Sequence, residues 1–94
     1  MAFDETPVEF GQLLAALMRS IREERGLSQE ALAVQLGHDQ PWISKVENGS
    51  RRVQLAEFLA WLDELGVALS DVAERVDDLW KSCHGAGHPA GVER

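Results

Sequence analysis

The sequence has no tyrosine, a single cysteine, only three prolines and few basic residues. The lone cysteine, Cys83, has no partner for a disulfide within the chain, which fits a reducing compartment. Runs of β-branched residues are almost absent, and 45% of the 94 residues are hydrophobic, enough for one small helical core. The longest apolar run, residues 13–18, is far short of the roughly 20 residues that span a bilayer. We therefore expect an all-α, cytoplasmic protein without a secretory leader.

Positive charge is also scarce, since sixteen acidic residues face nine basic ones and the formal net charge is −7. Such a balance argues at first against binding to nucleic acid, because Lys and Arg supply most of non-specific DNA affinity. The charges are unevenly distributed, however. Residues 19–52 hold six basic and five acidic residues, whereas the remainder holds three basic and eleven acidic ones. This segregation allows one face to meet phosphates while the acidic remainder stays in solvent.

Apolar periodicity and capping residues predict five helices. The first ends at Gly26, and the others cover residues 29–36, residues 40 to about 48, residues from about 54 to 65, and a fifth helix capped by Ser70. The second and third helices are short and are joined by only three residues, 37–39. The tail over residues 84–94 is rich in Gly and Pro, which predicts a flexible segment outside a domain over residues 1–83.

Two short helices joined by a Gly-containing turn, with apolar residues facing one another, are the pattern of a helix-turn-helix. Around it, GLSQEALA, LG, ISKVENG and LAEFLAWLDELGV follow in order and spacing within residues 22–67. Over this half of the chain the sequence resembles the phage-repressor and Cro-like, or XRE-type, helix-turn-helix family. The resemblance implies a five-helix, lambda-repressor-like DNA-binding domain whose third helix lies in the major groove. A helical bundle that binds only protein is the alternative.

The base-reading positions of that family correspond to Gln40, Pro41 and Lys45, with Ser44 close by. Glutamine can bridge adenine N6 and N7, and lysine can donate to guanine O6 and N7. Proline has no side-chain hydrogen-bonding group with which to read a base. Pro41 is therefore expected to touch a thymine methyl group or to fix the start of the helix. Without the resemblance, Gln40 and Lys45 would be interpreted as solvated polar side chains.

The resemblance also implies contacts with the DNA backbone. Gln29 matches a position that holds a phosphate at the N-terminus of the second helix. Trp42 lies at the edge of the third helix, where it either donates its indole N–H to a phosphate or only fills the core. Four residues after the third helix are expected at neighbouring phosphates, although the two arginines also suit a solvated loop: Asn48, Ser50, Arg51 and Arg52.

Glu47 is expected on the inward side of the third helix, where an unpaired carboxylate would be costly. An arginine pairs with the matching residue in this family, so Arg22 and Glu47 are expected to form a structural ion pair, with a weak exposed pair as the alternative. Regulators of this type usually dimerise on a palindromic operator. The surface expected to meet a second subunit, although its tryptophans suit a core equally well, comprises Trp61, Leu65, Leu69, Val76, Leu79 and Trp80.

These features predict a DNA-binding transcription regulator, either a repressor or an autoregulator. An enzyme is not expected, because no catalytic set lies on a rigid element. Cys83, His84 and His88 lack a fourth ligand and a scaffold, so neither a metal nor another cofactor is expected, and the tail is a possible site for a protein partner. The competing hypothesis is an adaptor or antitoxin-type module with little or no DNA binding, which the net charge, Pro41 and the apolar surface favour.

Overall fold

A computed structural model of the chain describes residues 6–84, which form five helices connected by short turns. The helices are α1 (Thr6–Glu24), α2 (Gln29–Leu36), α3 (Gln40–Glu47), α4 (Leu55–Glu64) and α5 (Leu69–His84). The predicted all-α, five-helix fold is thereby confirmed for the described part of the chain. No helix of that part is both long and apolar enough to cross a membrane. The predicted tail lies outside the described residues except for His84, which is the last residue of α5.

The boundaries of α2 and α3 follow from their capping residues, as the sequence predicts. Ser28 Oγ accepts a hydrogen bond from the N–H of Ala31 at 3.0 Å, and Asp39 Oδ1 accepts one from the N–H of Trp42 at 3.0 Å. Each bond satisfies one of the N–H groups that a helix start leaves unpaired. Gly37 ends α2 with φ +74, a left-handed conformation that favours glycine.

The start of α5 differs from the prediction. The helix begins at Leu69, so Ser70 lies inside its first turn and does not cap it. The N–H of Ala68 instead donates to Asp71 Oδ2 at 3.0 Å. A carboxylate three residues after the cap position accepts this bond, which is one half of a capping box, and an acid in the first turn also suits the helix dipole.

The core forms where α1 packs against α3 and α5, and where α2 packs against α3 and α4. Its centre is Trp61, which is fully buried and donates its indole N–H to the backbone oxygen of Met18 at 3.1 Å. Leu65, one turn further along, is also buried. The other buried apolar side chains are Ala15, Leu17, Met18, Ile21, Leu32, Ala33, Ile43, Val46, Phe58, Leu62 and Val72.

The predicted subunit interface is therefore wrong at Trp61 and Leu65, which are buried in the core. The stripe of α4 that carries them turns inward against α1, so neither side chain offers its surface to a second chain. The sequence shows that the stripe is apolar, but the same apolarity suits a core and an interface.

Replacing Trp61 tests this assignment. Trp61→Phe is expected to lower the free energy of unfolding by about 1–3 kcal/mol, because it removes a buried hydrogen bond and leaves a void. Urea denaturation at two protein concentrations measures the loss, which should be the same at both. A loss that grows on dilution would contradict the assignment and place Trp61 at a subunit interface.

Candidate nucleic-acid interface

The third helix has one buried side and one accessible side. Ile43 and Val46 are fully buried, whereas Pro41 and Lys45 are exposed and Ser44 is half-buried. The residues matched to base-reading positions thus lie away from the core, with Gln40 half-buried in the first turn of the helix. The side chain of Lys45 forms no ion pair or hydrogen bond within residues 6–84, so its ammonium group is free to bind a ligand.

A buried ion pair joins α1 to the end of α3. Arg22 Nε lies 2.5 Å from Glu47 Oε2, and Arg22 Nη2 donates to Glu47 Oε1 at 3.0 Å. The side chains retain only 9% and 3% of their accessible surface, so the pair is not the exposed, weak one considered as an alternative. The hydrogen bond to Glu47 raises the pKa of Arg22 against the opposing effect of its burial. Arg22 Nη1 also donates to the backbone oxygen of Leu27 at 2.7 Å, which attaches the α1–α2 turn to the same guanidinium group.

The ion pair continues into a chain of hydrogen bonds that reaches the first residues of α2 and α3. Gln29 Nε2 donates to Glu47 Oε1 at 2.9 Å, and Gln40 Nε2 donates to Gln29 Oε1 at 2.6 Å. A carboxylate can only accept, so Glu47 sets the direction of both bonds. Gln40 is left with its carbonyl oxygen and one N–H group for another partner.

Trp42 lies in a stack of flat groups beside this network. His38 stacks on its ring at a centroid distance of 3.7 Å and an interplanar angle of 4°. The guanidinium carbon of Arg51 lies 5.2 Å from the ring centroid, within the range of a cation–π interaction. Trp42 also packs against the core, 6.5 Å from the ring of Trp61. Its indole N–H has no partner within residues 6–84, so packing does not use the polar edge of the ring.

The loop between α3 and α4 folds back onto the end of α3. Asn48 Oδ1 accepts from the N–H of Ser50 at 2.9 Å, and Ser50 Oγ donates to the backbone oxygen of Lys45 at 3.3 Å. Gly49 between them has φ +80, which a residue with a side chain rarely adopts. Asn48 and Ser50 therefore hold the loop shape, while Arg52 is exposed and has no partner in the described part of the chain.

Arg51 differs from Arg52 because it is already paired. Its Nη2 lies 2.7 Å from Glu57 Oε2, and Glu57 Oε1 accepts from the N–H of Gln54 at the start of α4. One carboxylate thus holds both the loop and the helix that follows it. Sequence reasoning did not single out Glu57 or His38. A glutamate three residues after a helix start was the available signal for Glu57, but no local pattern indicated that Arg51 would reach it.

The remaining residues of the predicted subunit interface lie on α5. Leu69 is 45% exposed, whereas Val76, Leu79 and Trp80 are half-buried against the domain, with the Trp80 ring edge-on to Phe10 at 5.3 Å. Two exposed side chains were not predicted: Leu55, at 69%, and Leu59, at 39%, lie one turn apart on α4. The apolar surface available to a partner is thus smaller on α5 than the sequence indicated, and on α4 it comprises Leu55 and Leu59 in place of Trp61 and Leu65.

No group of histidine, cysteine and carboxylate side chains among the described residues is placed to hold a metal ion. Cys83 is half-buried near the end of α5. His88, the most distal of the predicted metal-ligand candidates, lies outside the described residues.

The chain matches known proteins over most of its described length. A family model described as a helix-turn-helix domain matches residues 13–75. An uncharacterised HTH-type transcriptional regulator from Haemophilus influenzae is 35% identical in an alignment of 77 residues that covers 79% of each chain. Control protein C.MunI from Mycoplasma sp. is 31% identical over 74 residues, covering 79% of this chain and 96% of that protein.

Two solved structures have a similar fold. A mutant of the restriction–modification controller protein C.Esp1396I superposes with a TM-score of 0.69 and 24% identity, over 74% of this chain and 93% of that one. The clp gene regulator ClgR from C. glutamicum superposes with a TM-score of 0.66 and 22% identity, over 77% and 92% of the two chains.

The buried ion pair leads to a prediction about stability. Glu47→Gln is expected to lower the free energy of unfolding by about 3–5 kcal/mol, because Arg22 would stay buried without its counter-charge. Chemical denaturation measures the loss. The matched control is Asp77→Asn, which breaks the exposed pair between Asp77 and Lys81 (3.0 Å) on α5 and should cost far less, because solvent screens an exposed pair. Equal losses in the two variants would contradict a structural role for the Arg22–Glu47 pair.

Proposed function

Because the chain belongs to the helix-turn-helix family of transcriptional regulators, we propose that it reads an operator in the major groove with the accessible side of α3. Members of this family are DNA-binding regulators and not enzymes. The observation that carries the proposal is the hydrogen-bond chain Arg22–Glu47–Gln29–Gln40. It brings the first residues of α2 and α3 together and orients the amide of Gln40, while Lys45 stays unpaired on the same helix.

The proposed base contacts follow from the donors and acceptors that remain free. Gln40 keeps one acceptor and one N–H donor, the pair of groups that adenine N6 and N7 require. Lys45 can donate to guanine O6 and N7 because no carboxylate neutralises it. Pro41 offers only an apolar surface, suited to a thymine methyl group, and Ser44 on the same helix is half-buried.

Contacts with phosphates are proposed around this centre. Gln29 begins α2, where the N–H groups of the helix start attract an anion without a positive side chain. Arg52 supplies the free positive charge on the other side of α3, with Asn48 and Ser50 in the same loop. Arg51, whose charge Glu57 already balances, is proposed mainly to support Trp42.

Trp42 is proposed to combine the two roles that the sequence left open. Its ring packs between His38 and the core, while its unpartnered indole N–H is available to a phosphate. A ring held on both faces loses little conformational freedom when it binds, which favours such a contact.

The acidic part of the chain does not oppose this function, since it is concentrated elsewhere. Residues 53–84, which contain α4 and α5, hold seven acidic and two basic residues. A duplex that approaches α3 meets the near-neutral part of the protein first. The relative C.MunI is named a control protein, which supports a controller-type regulator acting on DNA in the cytoplasm.

A homodimer is proposed, because two copies of α3 can read the two halves of a palindrome. Leu55 and Leu59 share one face of α4, and Leu69 is the exposed apolar residue at the start of α5. Burying these side chains between two copies would remove apolar surface from water. The interface is therefore proposed at the α4–α5 side of the domain.

Variants of Lys45 and Arg52 test the DNA-binding proposal. The purified protein first selects its preferred duplex from a random library. Lys45→Ala is expected to weaken binding to that duplex by about 1–3 kcal/mol and to relax the preference at one base pair. Arg52→Gln is expected to weaken binding to selected and random duplexes alike and to lower the slope of log affinity against log salt by about 1.

Lys81→Ala is the matched control, because it removes a positive charge on α5, where no DNA contact is proposed. Its affinity for both duplexes should equal that of the unmodified protein. Equal losses of Lys45→Ala on selected and random duplexes would contradict base reading and indicate a phosphate contact. No binding of any duplex at low salt would contradict the whole proposal and favour the adaptor hypothesis.

The proposed interface makes a separate prediction about oligomeric state. Leu59→Glu is expected to weaken the dimer at least about tenfold, since it places a carboxylate in a desolvated apolar contact. Sedimentation velocity over a range of concentrations measures the effect. The matched control is Val34→Glu, at an apolar residue of α2 that is 79% exposed, and it should dimerise normally. An unchanged dimer in Leu59→Glu would place the interface elsewhere.

A further inference from the structure

A crevice of about 390 Å³ lies between the start of α1 and the α3–α4 loop. Its size falls within the roughly 300–1,000 Å³ typical of small-molecule sites. The apolar side chains of Val8, Phe10, Leu14 and Val53 line it, together with the polar residues of the loop. We refer to this space as the α1–loop crevice.

Two arginines border the α1–loop crevice, and both have unused hydrogen-bond donors. Arg52 has no ion-pair or hydrogen-bond partner in the described part of the chain. The Nε atom of Arg51 is buried and has no hydrogen-bond partner, although Nη2 of the same group binds Glu57. A buried donor without a partner is rare in proteins, but this atom has almost no accessible surface, so the positive charge available to the crevice is that of Arg52.

Gly11 provides a position from which the crevice can be tested. It is exposed, lies inside α1 and lines the crevice, and glycine is less favourable than alanine in a helix interior. A Cβ atom added at Gly11 would meet no atom within 4 Å. Packing therefore does not require glycine here, whereas a larger side chain would project into open space beside the crevice.

We propose that the α1–loop crevice binds a small organic carboxylate with an apolar body. The carboxylate would pair with the free guanidinium group of Arg52, and the body would lie against Phe10, Leu14 and Val53. A bare inorganic anion would leave the apolar wall exposed to water, and a neutral molecule would leave Arg52 without a counter-charge.

Occupation of the crevice would reduce DNA binding. Arg52 and Ser50 border the crevice and are also proposed phosphate contacts, so ligand and DNA compete for the same groups. The loop is attached to α1 through Gln12, whose Nε2 donates to the backbone oxygen of Gly49 at 3.3 Å. This consequence rests on the proposed function, whereas binding of the carboxylate itself does not.

Phenylacetate is the probe, with its neutral amide, phenylacetamide, and acetate as matched controls for charge and for the apolar body. Isothermal titration and ligand-observed NMR on the full chain should show saturable binding of phenylacetate, at least about tenfold tighter than that of either control. Gly11→Leu, which adds a large side chain at the rim of the crevice without changing charge, should weaken phenylacetate binding at least about tenfold. Gly11→Ala, which leaves most of the space open, should largely retain it.

Arg52→Gln is a second variant at an exposed position and should also lose phenylacetate binding while remaining folded. No saturable binding of phenylacetate, equal binding of phenylacetamide, or unchanged binding by Gly11→Leu would each overturn the proposal.

A competition experiment with the selected duplex separates this proposal from the proposed function. Phenylacetate should displace the duplex from the unmodified protein but not from Gly11→Leu. If phenylacetate binds and the protein binds no duplex, the proposed function fails and the ligand site stands. If the duplex binds and phenylacetate does not, the ligand site fails alone.

Discussion

The ion pair between Arg22 and Glu47 is the interaction on which both the packing of the helices and the proposed DNA contacts depend. It removes two charges from water, which is tolerable because each nitrogen of the Arg22 guanidinium group and each carboxylate oxygen of Glu47 has a hydrogen-bond partner. Arg22 holds the backbone of the α1–α2 turn as well as the carboxylate. Glu47 in turn orients Gln29, and Gln29 orients Gln40. The stability of the domain and the direction of its proposed base reader thus depend on one carboxylate.

The pairing of charges within the chain also bears on how this acidic protein binds a polyanion. Most basic residues between positions 19 and 52 are paired with groups of the same chain: Arg19 with Glu23, Arg22 with Glu47, Arg25 with the end of α4, and Arg51 with Glu57. Only Lys45 and Arg52 are unpaired among these described residues. Two free cations within residues 19–52 supply little non-specific affinity for DNA. In the proposed mode of binding, recognition depends on hydrogen bonds, helix N-termini and the match of two subunits to one site, which favours discrimination over general attraction.

The α3–α4 loop lies between the proposed DNA contacts and the proposed ligand site. Glu57 pairs with Arg51, Arg51 lies close to the Trp42 ring, and His38 stacks on that ring. The loop also borders the α1–loop crevice, which Gly11 lines from α1. A ligand in that space would act on the proposed phosphate contacts without touching the base readers, so it would change affinity more than sequence preference.

Local patterns in the sequence determined the five helices, the caps Ser28 and Asp39, and the inward face of α3, because periodicity and capping involve residues within a few positions of one another. The family resemblance added Arg22 and Glu47 as partners across 25 positions. Only the tertiary structure decided that Trp61 and Leu65 belong to the core, that Arg51 pairs with Glu57 while Arg52 stays free, and that a crevice opens beside Gly11. An apolar stripe or an arginine pair looks the same in sequence whether it is covered by its own chain, by a partner or by water. Whether a side chain is buried or paired depends on residues that are distant in sequence, and these contacts exist only once the helices are packed.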